Sequence, residues 1–189
     1  MECLVGEEDG SLSHYLDVLD GDDAEEISDR RFVQDETFSY DTGKFNAVPF
    51  CMEFEAENYW SCLYGTSNGK VYHLANSGAI DEFDSSDMSN EGAVIRTSKR
   101  FAAPFCGDFD GDNDIDCIVG YDDGLLNTGV QFWENSCNKQ YCPVASDNFT
   151  KTRDSFFGTA FNVSIRYPKP FCIDMDEDED LDCLIGDID

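Results

Sequence analysis

Two stretches of the sequence carry an aspartate at every second position. The first offers carboxylates at positions 1, 3, 5 and 9 and a backbone carbonyl at position 7, supplied in that order by Asp108, Asp110, Asp112, Asp116 and Asp114. The second repeats this spacing with Asp174, Asp176, Asp178, Asp182 and, in the carbonyl role, Asp180. Calcium takes six to eight oxygen ligands, so each stretch suits a Ca²⁺ ion. Solvated acidic turns are the simpler alternative, but two copies with identical spacing between apolar segments favour calcium sites.

A third stretch keeps only the outline of this pattern. It carries Glu53, Glu55 and Glu57, and Ser61 stands where the ninth-position carboxylate should be. The longer side chains and the missing acid predict a weak or abolished calcium site.

An EF-hand is the main competing interpretation, because its calcium loop also begins with alternating acids. That loop needs a bidentate glutamate at position 12 and a helix on each side. Position 12 is Val119 in the first stretch and Ile185 in the second, each within an apolar run that is typical of a strand. The sequence therefore disfavours an EF-hand.

Each of the three stretches is bracketed by two cysteines eleven positions apart. Adjacent antiparallel strands would bring the members of a pair together, which predicts three disulfides: Cys51–Cys62, Cys106–Cys117 and Cys172–Cys183. Cys137 and Cys142 can close a smaller loop, and Cys3 is left without a partner in the sequence. Nine cysteines in 189 residues, mostly in evenly spaced pairs, indicate an oxidising compartment rather than zinc sites.

The acidic stretches belong to a repeat that runs through the whole chain. Complete copies span 104–120 and 170–186, a degenerate copy spans 49–65, and residues 1–6 match only the end of a copy. A glycine closes each copy, and a turn and a further apolar–polar run follow in the first three repeats, at 11–16, 70–75 and 130–133. Later strand-like runs lie at 92–97 and 161–165, whereas the acidic or serine-rich segments 19–31 and 80–91 are typical of loops.

Each repeat thus offers about four short strands, which is the size of one propeller blade. The sequence predicts an all-β fold of about three four-stranded antiparallel sheets, with calcium loops and disulfides inside the blades. The expected units are the rear of a blade with its connecting loops (1–48), a blade with a degenerate loop (49–103), a blade with a complete loop (104–169) and the front half of a blade (170–189).

These motifs resemble the FG-GAP repeats of integrin α-subunit propellers and the related VCBS-type repeats of secreted proteins. The family pattern is an acidic loop of the form Asp-x-Asp-x-Asp-Gly-x-x-Asp, then a strand, a glycine and a hairpin. Residues 107–120 fit it closely, 174–186 fit with Glu177 and Glu179 in place of small residues, and 53–65 keep the outline. The resemblance implies a β-propeller whose calcium ions lie between the first two strands of a blade. The cysteine pairs depart from the simplest family pattern.

The charge of the chain restricts its partners. Forty-one acidic residues face 12 basic ones, for a formal charge of −29, so nucleic acid and anionic membrane are poor partners. No apolar run approaches a membrane span, which predicts no membrane insertion. Two sequons, at Asn148 and Asn162, are candidate glycosylation sites and agree with an extracellular or cell-surface location.

A non-catalytic scaffold or adhesion module is the expected function. The two histidines, His14 and His73, each stand four residues after a hairpin glycine, so a repeated structural position explains them better than catalysis. Two carboxylates would suffice for glycoside hydrolysis, but these acids recur with the repeat. The expected partners are proteins or further copies of similar repeats, with glycans as the third option through a calcium-dependent lectin activity.

The repeat is incomplete at both ends of the sequence. This predicts either a segment of a longer polypeptide or a subunit whose half-blades pair with those of neighbours in an extracellular filament. In the filament, Cys3 would bond to Cys172 or Cys183 of the next subunit. The segment is the preferred interpretation, because each complete repeat already contains both members of its own cysteine pair.

Overall fold

The computed structural model describes residues 2–19, 30–53, 60–76, 84–112, 114–124, 128–136, 148–153, 166–178 and 181–188. These residues form strands and one 3-10 turn, Ser85–Asp87, and contain no α-helix. The strands are β1 (Glu2–Gly6), β2 (Ser11–Leu19), β3 (Arg30–Gln34), β4 (Tyr40–Asp41), β5 (Val48–Glu53), β6 (Trp60–Gly65), β7 (Lys70–Asn76), β8 (Met88–Arg96), β9 (Ala103–Gly107), β10 (Asp116–Asp122), β11 (Thr128–Asn135), β12 (Phe149–Arg153), β13 (Lys169–Ile173) and β14 (Asp182–Gly186).

The strands form four antiparallel sheets in chain order. Sheet B has the order β5-β6-β7-β8, and sheet C is built from β9, β10, β11 and β12 in the same way. Sheet A contains β1, β2 and β3, with the short β4 also paired to β2, and sheet D contains β13 and β14. The predicted all-β fold with four-stranded antiparallel sheets is confirmed.

Glycines in the tight turns set the hairpins of sheets A, B and C. Gly10, Gly69 and Gly124 have φ values of 99°, 75° and 76°, a left-handed backbone that other residues adopt only at a cost. Two of the turns are also stabilised by a side chain at the position before the glycine. Asp9 Oδ1 accepts a hydrogen bond from Ser11 N, and Asn68 Oδ1 accepts one from Lys70 N. The predicted hairpins after residues 6, 65 and 120 are therefore present.

The fourth strands differ from the prediction. Strand β8 includes nearly all of the predicted run 92–97, but it begins earlier, at Met88, inside the segment 80–91 that was predicted to be a loop. Most of the early part of β8 is exposed, which accounts for its polar, loop-like sequence. The pairing of β8 with β7 also has two register shifts. In sheet C the fourth strand is Phe149–Arg153, which the prediction omitted, and the run 161–165 lies outside the described residues. In sheet A, β3 and β4 supply the counterpart that the sequence left unassigned.

The three disulfides form as predicted, and each joins the first two strands of a sheet. Cys51–Cys62, Cys106–Cys117 and Cys172–Cys183 stand directly opposite each other in the strand register, with Cα atoms 4.0, 4.1 and 4.1 Å apart. Cys3 is a free, half-buried thiol, and Cys137 and Cys142 lie outside the described residues. Each bond closes the base of the loop between the two strands.

The core lies between successive sheets rather than within one. Apolar side chains of sheets A and B pack together around Leu12 and Tyr64, those of B and C around Leu63 and Val119, and those of C and D around Ile118. The first strands of sheets B, C and D lie next to one another, because β5 contacts β9 and β9 contacts β13. Sheet A joins this series through the contact of β1 with β5. The loops at the base of each first strand are therefore repeated along one stack of sheets.

Candidate metal centre

The first acidic loop spans residues 108–115 and connects β9 to β10 above the Cys106–Cys117 disulfide. One carboxylate oxygen from each of Asp108, Asp110 and Asp112 lies within 4.8 Å of the other two. The structure thus brings together three of the predicted ligands in a group that could hold a metal ion.

The backbone of this loop is folded by its own carboxylates. Gly111 N donates to Asp108 Oδ1 at 2.8 Å, Asp112 N to Asp110 Oδ1 at 3.3 Å, and Asp114 N to Asp112 Oδ1 at 3.0 Å. Gly111 has φ of +80°, the conformation that lets the chain reverse at this point. The alternation of acids therefore fixes the turn and aims successive carboxylates at one centre.

Asp116, at the ninth position, is buried beneath the loop with 0% exposure. Its Oδ1 accepts a hydrogen bond from Asn135 N at 2.9 Å, whereas its Oδ2 is buried and has no hydrogen-bond partner within the described residues. Asn135 also donates from its side chain to Ile115 O at 3.3 Å. The end of β11 therefore holds the ninth-position carboxylate in place and leaves one of its oxygens without a donor.

The surroundings of Asp116 disfavour its charged form. Burial raises the pKa of Asp116 to about 7, against the lowering effect of the Asn135 hydrogen bond, and the carboxylates of Asp110, Asp114 and Asp112 raise it further. Asp114, predicted to offer its backbone carbonyl, also has a buried side chain. A buried carboxylate among other acids is costly unless it is protonated or a cation neutralises it.

The second acidic loop connects β13 to β14 and is more open. Asp174, Asp176 and Asp178 converge to the same 4.8 Å limit, and Asp178 N donates to Asp174 Oδ1 at 3.2 Å. Asp182 accepts from Met175 N at 3.2 Å but is exposed, since no third strand covers β14 in the described part of sheet D. Asp180 lies outside the described residues.

The third stretch has different chemistry at its ninth position. Ser61 is buried and lies 3.3 Å from Nε2 of His73, which is buried on the neighbouring strand β7. Burial lowers the pKa of His73, although Glu91 opposes this, so the pair is neutral near pH 7. Glu55 and Glu57 lie outside the described residues.

Both histidines occupy the same strand position, as predicted. His14 faces Leu4 in sheet A, and His73 faces Leu63 in sheet B. His14 is buried, with Nδ1 3.3 Å from Asp35 Oδ2. Neither histidine belongs to the acidic groups described above.

Sequence reasoning missed a buried carboxylate, Asp122, at the end of β10. It accepts hydrogen bonds from Gly124 N, from Arg166 Nε at 3.0 Å and from Tyr167 N at 3.1 Å. Burial favours a higher pKa, but these hydrogen bonds and the Arg166 charge outweigh it and lower the pKa of Asp122. Asp122 thereby ties sheet C to the segment that leads into sheet D. The only signal in the sequence was the turn Asp122-Asp123-Gly124, which says nothing of Arg166.

The two sequons remain predictions. Asn148 is half-buried just before β12, and its carbonyl accepts from Ser136 N at 2.9 Å. Asn162 lies outside the described residues.

No protein family, curated protein or solved structure matches the chain in a comparison with known proteins. The site must therefore be interpreted from its own geometry. The three disulfides indicate an oxidising, extracellular type of environment. Among the described residues, no helix is long and apolar enough to cross a membrane.

Proposed function

We propose that this chain is a calcium-binding, non-catalytic scaffold or adhesion module of an extracellular or cell-surface protein. The observation that carries the proposal is the buried Oδ2 of Asp116, which has no hydrogen-bond partner among the described residues and feels the charges of the loop in which Asp108, Asp110 and Asp112 converge. The calcium ion would be held by these four side chains and the backbone carbonyl of Asp114.

Calcium suits this ligand set better than other common metals. All of the ligands are oxygens, most are carboxylates, and they come from a flexible loop; Mg²⁺ instead keeps several waters in a strict octahedron. Zinc and copper prefer nitrogen and sulfur ligands, which the loop lacks, since its cysteines are in the disulfide beneath it. The second loop would hold a second ion with Asp174, Asp176 and Asp178 and, after some rearrangement, Asp182.

The sheets are best understood as blades of a β-propeller of the FG-GAP type. Support comes from the repeated four-strand order of sheets B and C, from first strands that follow one another in space, and from acidic loops between first and second strands. A propeller packs blades face to face around an axis, and the apolar clusters between successive sheets fit that arrangement. In this role calcium would stiffen each loop and hold the two strands together.

Catalysis is disfavoured by what the potential catalytic groups do. His14 and His73 are buried, repeated side chains, and the acids recur with the repeat. A scaffold function requires rigid sheets, which the disulfides and the proposed calcium ions would provide.

Calorimetric titration of chelator-treated protein with calcium tests the proposal. We expect two sites in the wild type and one in Asp110→Asn, while Glu53→Gln, a matched change in the third stretch, leaves both. Extracellular calcium modules typically bind with dissociation constants of about 10⁻⁴–10⁻³ M. Absence of calcium heat in the wild type, or two remaining sites in Asp110→Asn, would contradict it.

A further inference from the structure

Successive sheets meet through one recurring contact at a glycine near the end of β1, β6 or β10, which are equivalent strands of the repeat. A Cβ atom added to this glycine would collide with the carbonyl oxygen of the residue that precedes the next sheet. The pairs are Gly6 with Ala47, Gly65 with Ala102, and Gly120 with Pro168. Only glycine permits this approach of two backbones. We call the glycine and the two residues after it the socket, and the segment that enters it the plug.

The plugs share a conformation as well as a position. Each begins with a residue in the left-handed region: φ is 56° at Asn46, 54° at Phe101 and 51° at Tyr167. Two of them donate backbone hydrogen bonds to their sockets: Asn46 N and Ala47 N bond to Glu8 O and Glu7 O, and Phe101 N and Ala102 N bond to Ser67 O and Thr66 O, at 2.9–3.2 Å. A proline three residues after the left-handed residue lies against each glycine. A plug is therefore an extended segment of the form x-Ala-x-Pro or x-Pro-x-Pro.

An apolar contact accompanies each junction. The residue two positions before the glycine packs against the disulfide of the following sheet: Leu63 against Cys106 and Cys117, and Ile118 against Cys172. Both Leu63 and Ile118 are fully buried as a result.

Sheet D carries a fourth socket that nothing in the described structure fills. Gly186 has the same place in the run Cys183-Leu184-Ile185-Gly186, yet the nearest atom to its added Cβ is Lys169 O at 3.8 Å. Leu184, the counterpart of Leu63 and Ile118, is 59% exposed. Ile188 and Phe171 beside it are also exposed. Gly186 and Leu184 therefore have the same places in sheet D as the glycine and the apolar residue of the filled junctions, but neither is covered in the described structure.

We propose that the face of sheet D around Gly186 and Leu184 is a docking surface for another β-sheet of this repeat type. The occupant presents a plug of the form x-Ala-x-Pro or x-Pro-x-Pro, followed by a disulfide that covers Leu184. The assignment rests on continuity with the three filled junctions. An apolar partner of another kind would cover Leu184, but it would not need the close backbone approach that Gly186 permits. The inference does not depend on calcium.

The test uses the chain's own plug as a probe. The capped peptide Phe45-Asn46-Ala47-Val48-Pro49-Phe50 is uncharged, so the acidic protein does not attract it by charge. Its binding to the full chain is measured by fluorescence anisotropy of a labelled peptide, with a scrambled peptide of the same composition as control. We expect saturable binding at one site.

Variants locate the site. Gly186→Val fills the socket and is expected to weaken binding at least tenfold, and Leu184→Ala several-fold, because it removes part of the apolar cover. Thr152→Val, an exposed strand position on β12, is the matched control and keeps the wild-type affinity. Circular dichroism of each variant shows whether it is folded, and calcium titration reports separately on the metal proposal.

Two results would overturn the inference. One is a wild-type protein that shows no saturable preference for the plug over the scrambled peptide; the other is an affinity that neither Gly186→Val nor Leu184→Ala reduces. Sedimentation in the same buffer shows whether copies of the chain associate instead. Self-association that Gly186→Val abolishes, without binding of the plug peptide, would show that copies meet at this face through a contact other than a plug, and would refute the proposed mode of docking.

Discussion

One strand position illustrates how a single residue decides the chemistry of a repeat. The first residue of β10 is Asp116, with an oxygen that lacks a donor among the described residues, whereas its counterpart near the start of β6 is Ser61 beside a histidine. The sequence places the acid and the serine at the ninth position of the pattern, and it predicts a calcium site at the first and a weak or abolished one at the second. It could not predict that Asp116 is buried, since that depends on Asn135 from a strand nineteen residues away.

Asp116→Asn should separate the metal role of this carboxylate from its structural role. The amide keeps an acceptor for Asn135 N and removes a buried charge, so the calcium-free variant should be as stable as the wild type or more stable. The stabilisation by calcium, which is about 2.7 kcal/mol at a concentration 100 times the dissociation constant, should shrink. Thermal unfolding with chelator and with calcium measures both. A large loss of stability in chelator would assign Asp116 a structural role instead.

Glu177 occupies a position where the first loop has glycine. Its φ is +63°, and that of Gly111 is +80°. Glycine adopts this region without the cost of about 1 kcal/mol that other residues incur. Glu177→Gly should therefore strengthen calcium binding by the second loop, and Gly111→Ala should weaken binding by the first.

Calorimetry in an Asp110→Asn background isolates the second loop for this comparison. An unchanged affinity in Glu177→Gly would show that backbone conformation at this position does not limit the site.

Asp122 should make stability depend on pH in the acid range. Its pKa is lowered in the folded protein, so its contribution is present above the unfolded value of about 3.9 and is lost as the pH falls through the folded value. Asp122→Asn should lower the free energy of unfolding by about 1–3 kcal/mol at pH 7. The difference between variant and wild type should shrink as the pH falls below about 3.9. Urea unfolding from pH 3 to pH 7 measures it, and a difference that does not change with pH would contradict the account.

At the scale of elements, the first strands of each sheet were predictable, whereas the fourth strands were predictable only in part, since the run 92–97 marked the second half of β8 and nothing marked β12. Alternating side chains, turn glycines and cysteine spacing identify the first three strands of a sheet, because each signal is local. The residues of β8 and β12 are largely exposed and polar, so periodicity gives little signal there. The glycine junctions were also missed, although the glycines themselves were seen to recur, because their partners are 41, 37 and 48 residues further along.

The junction glycines give a matched pair of substitutions. Gly65→Ala places a methyl group against Ala102 O and should separate sheets B and C, with a loss of at least about 2 kcal/mol. In Gly186→Ala the new methyl group meets only Lys169 O, at an ordinary van der Waals distance of 3.8 Å. This substitution should therefore change stability by less than about 1 kcal/mol, the usual size of the backbone-entropy effect of replacing glycine by alanine. Denaturant unfolding of both variants measures the two changes in the free energy of unfolding. Equal effects would show that the close approach at Gly65 does not hold the sheets together.

At the scale of the whole molecule, charge and stacking act against each other. A formal charge of −29 favours separation of the sheets, while apolar clusters and disulfides hold them. Calcium would reduce that repulsion where the carboxylates are most crowded. Composition indicated a repulsion that cations or spacing could relieve, and the spacing of the acids predicted calcium loops, which stay a prediction. The way in which the sheets follow one another required the structure.

A crystal structure of the protein grown with calcium tests the central claim most directly. The account predicts an ion among Asp108, Asp110 and Asp112, with Asp116 Oδ2 and the carbonyl of Asp114 completing the protein ligands at about 2.3–2.6 Å, and anomalous scattering that identifies it as calcium. A loop with no ion at millimolar calcium, and with water or a protein donor on Asp116 Oδ2, would contradict it.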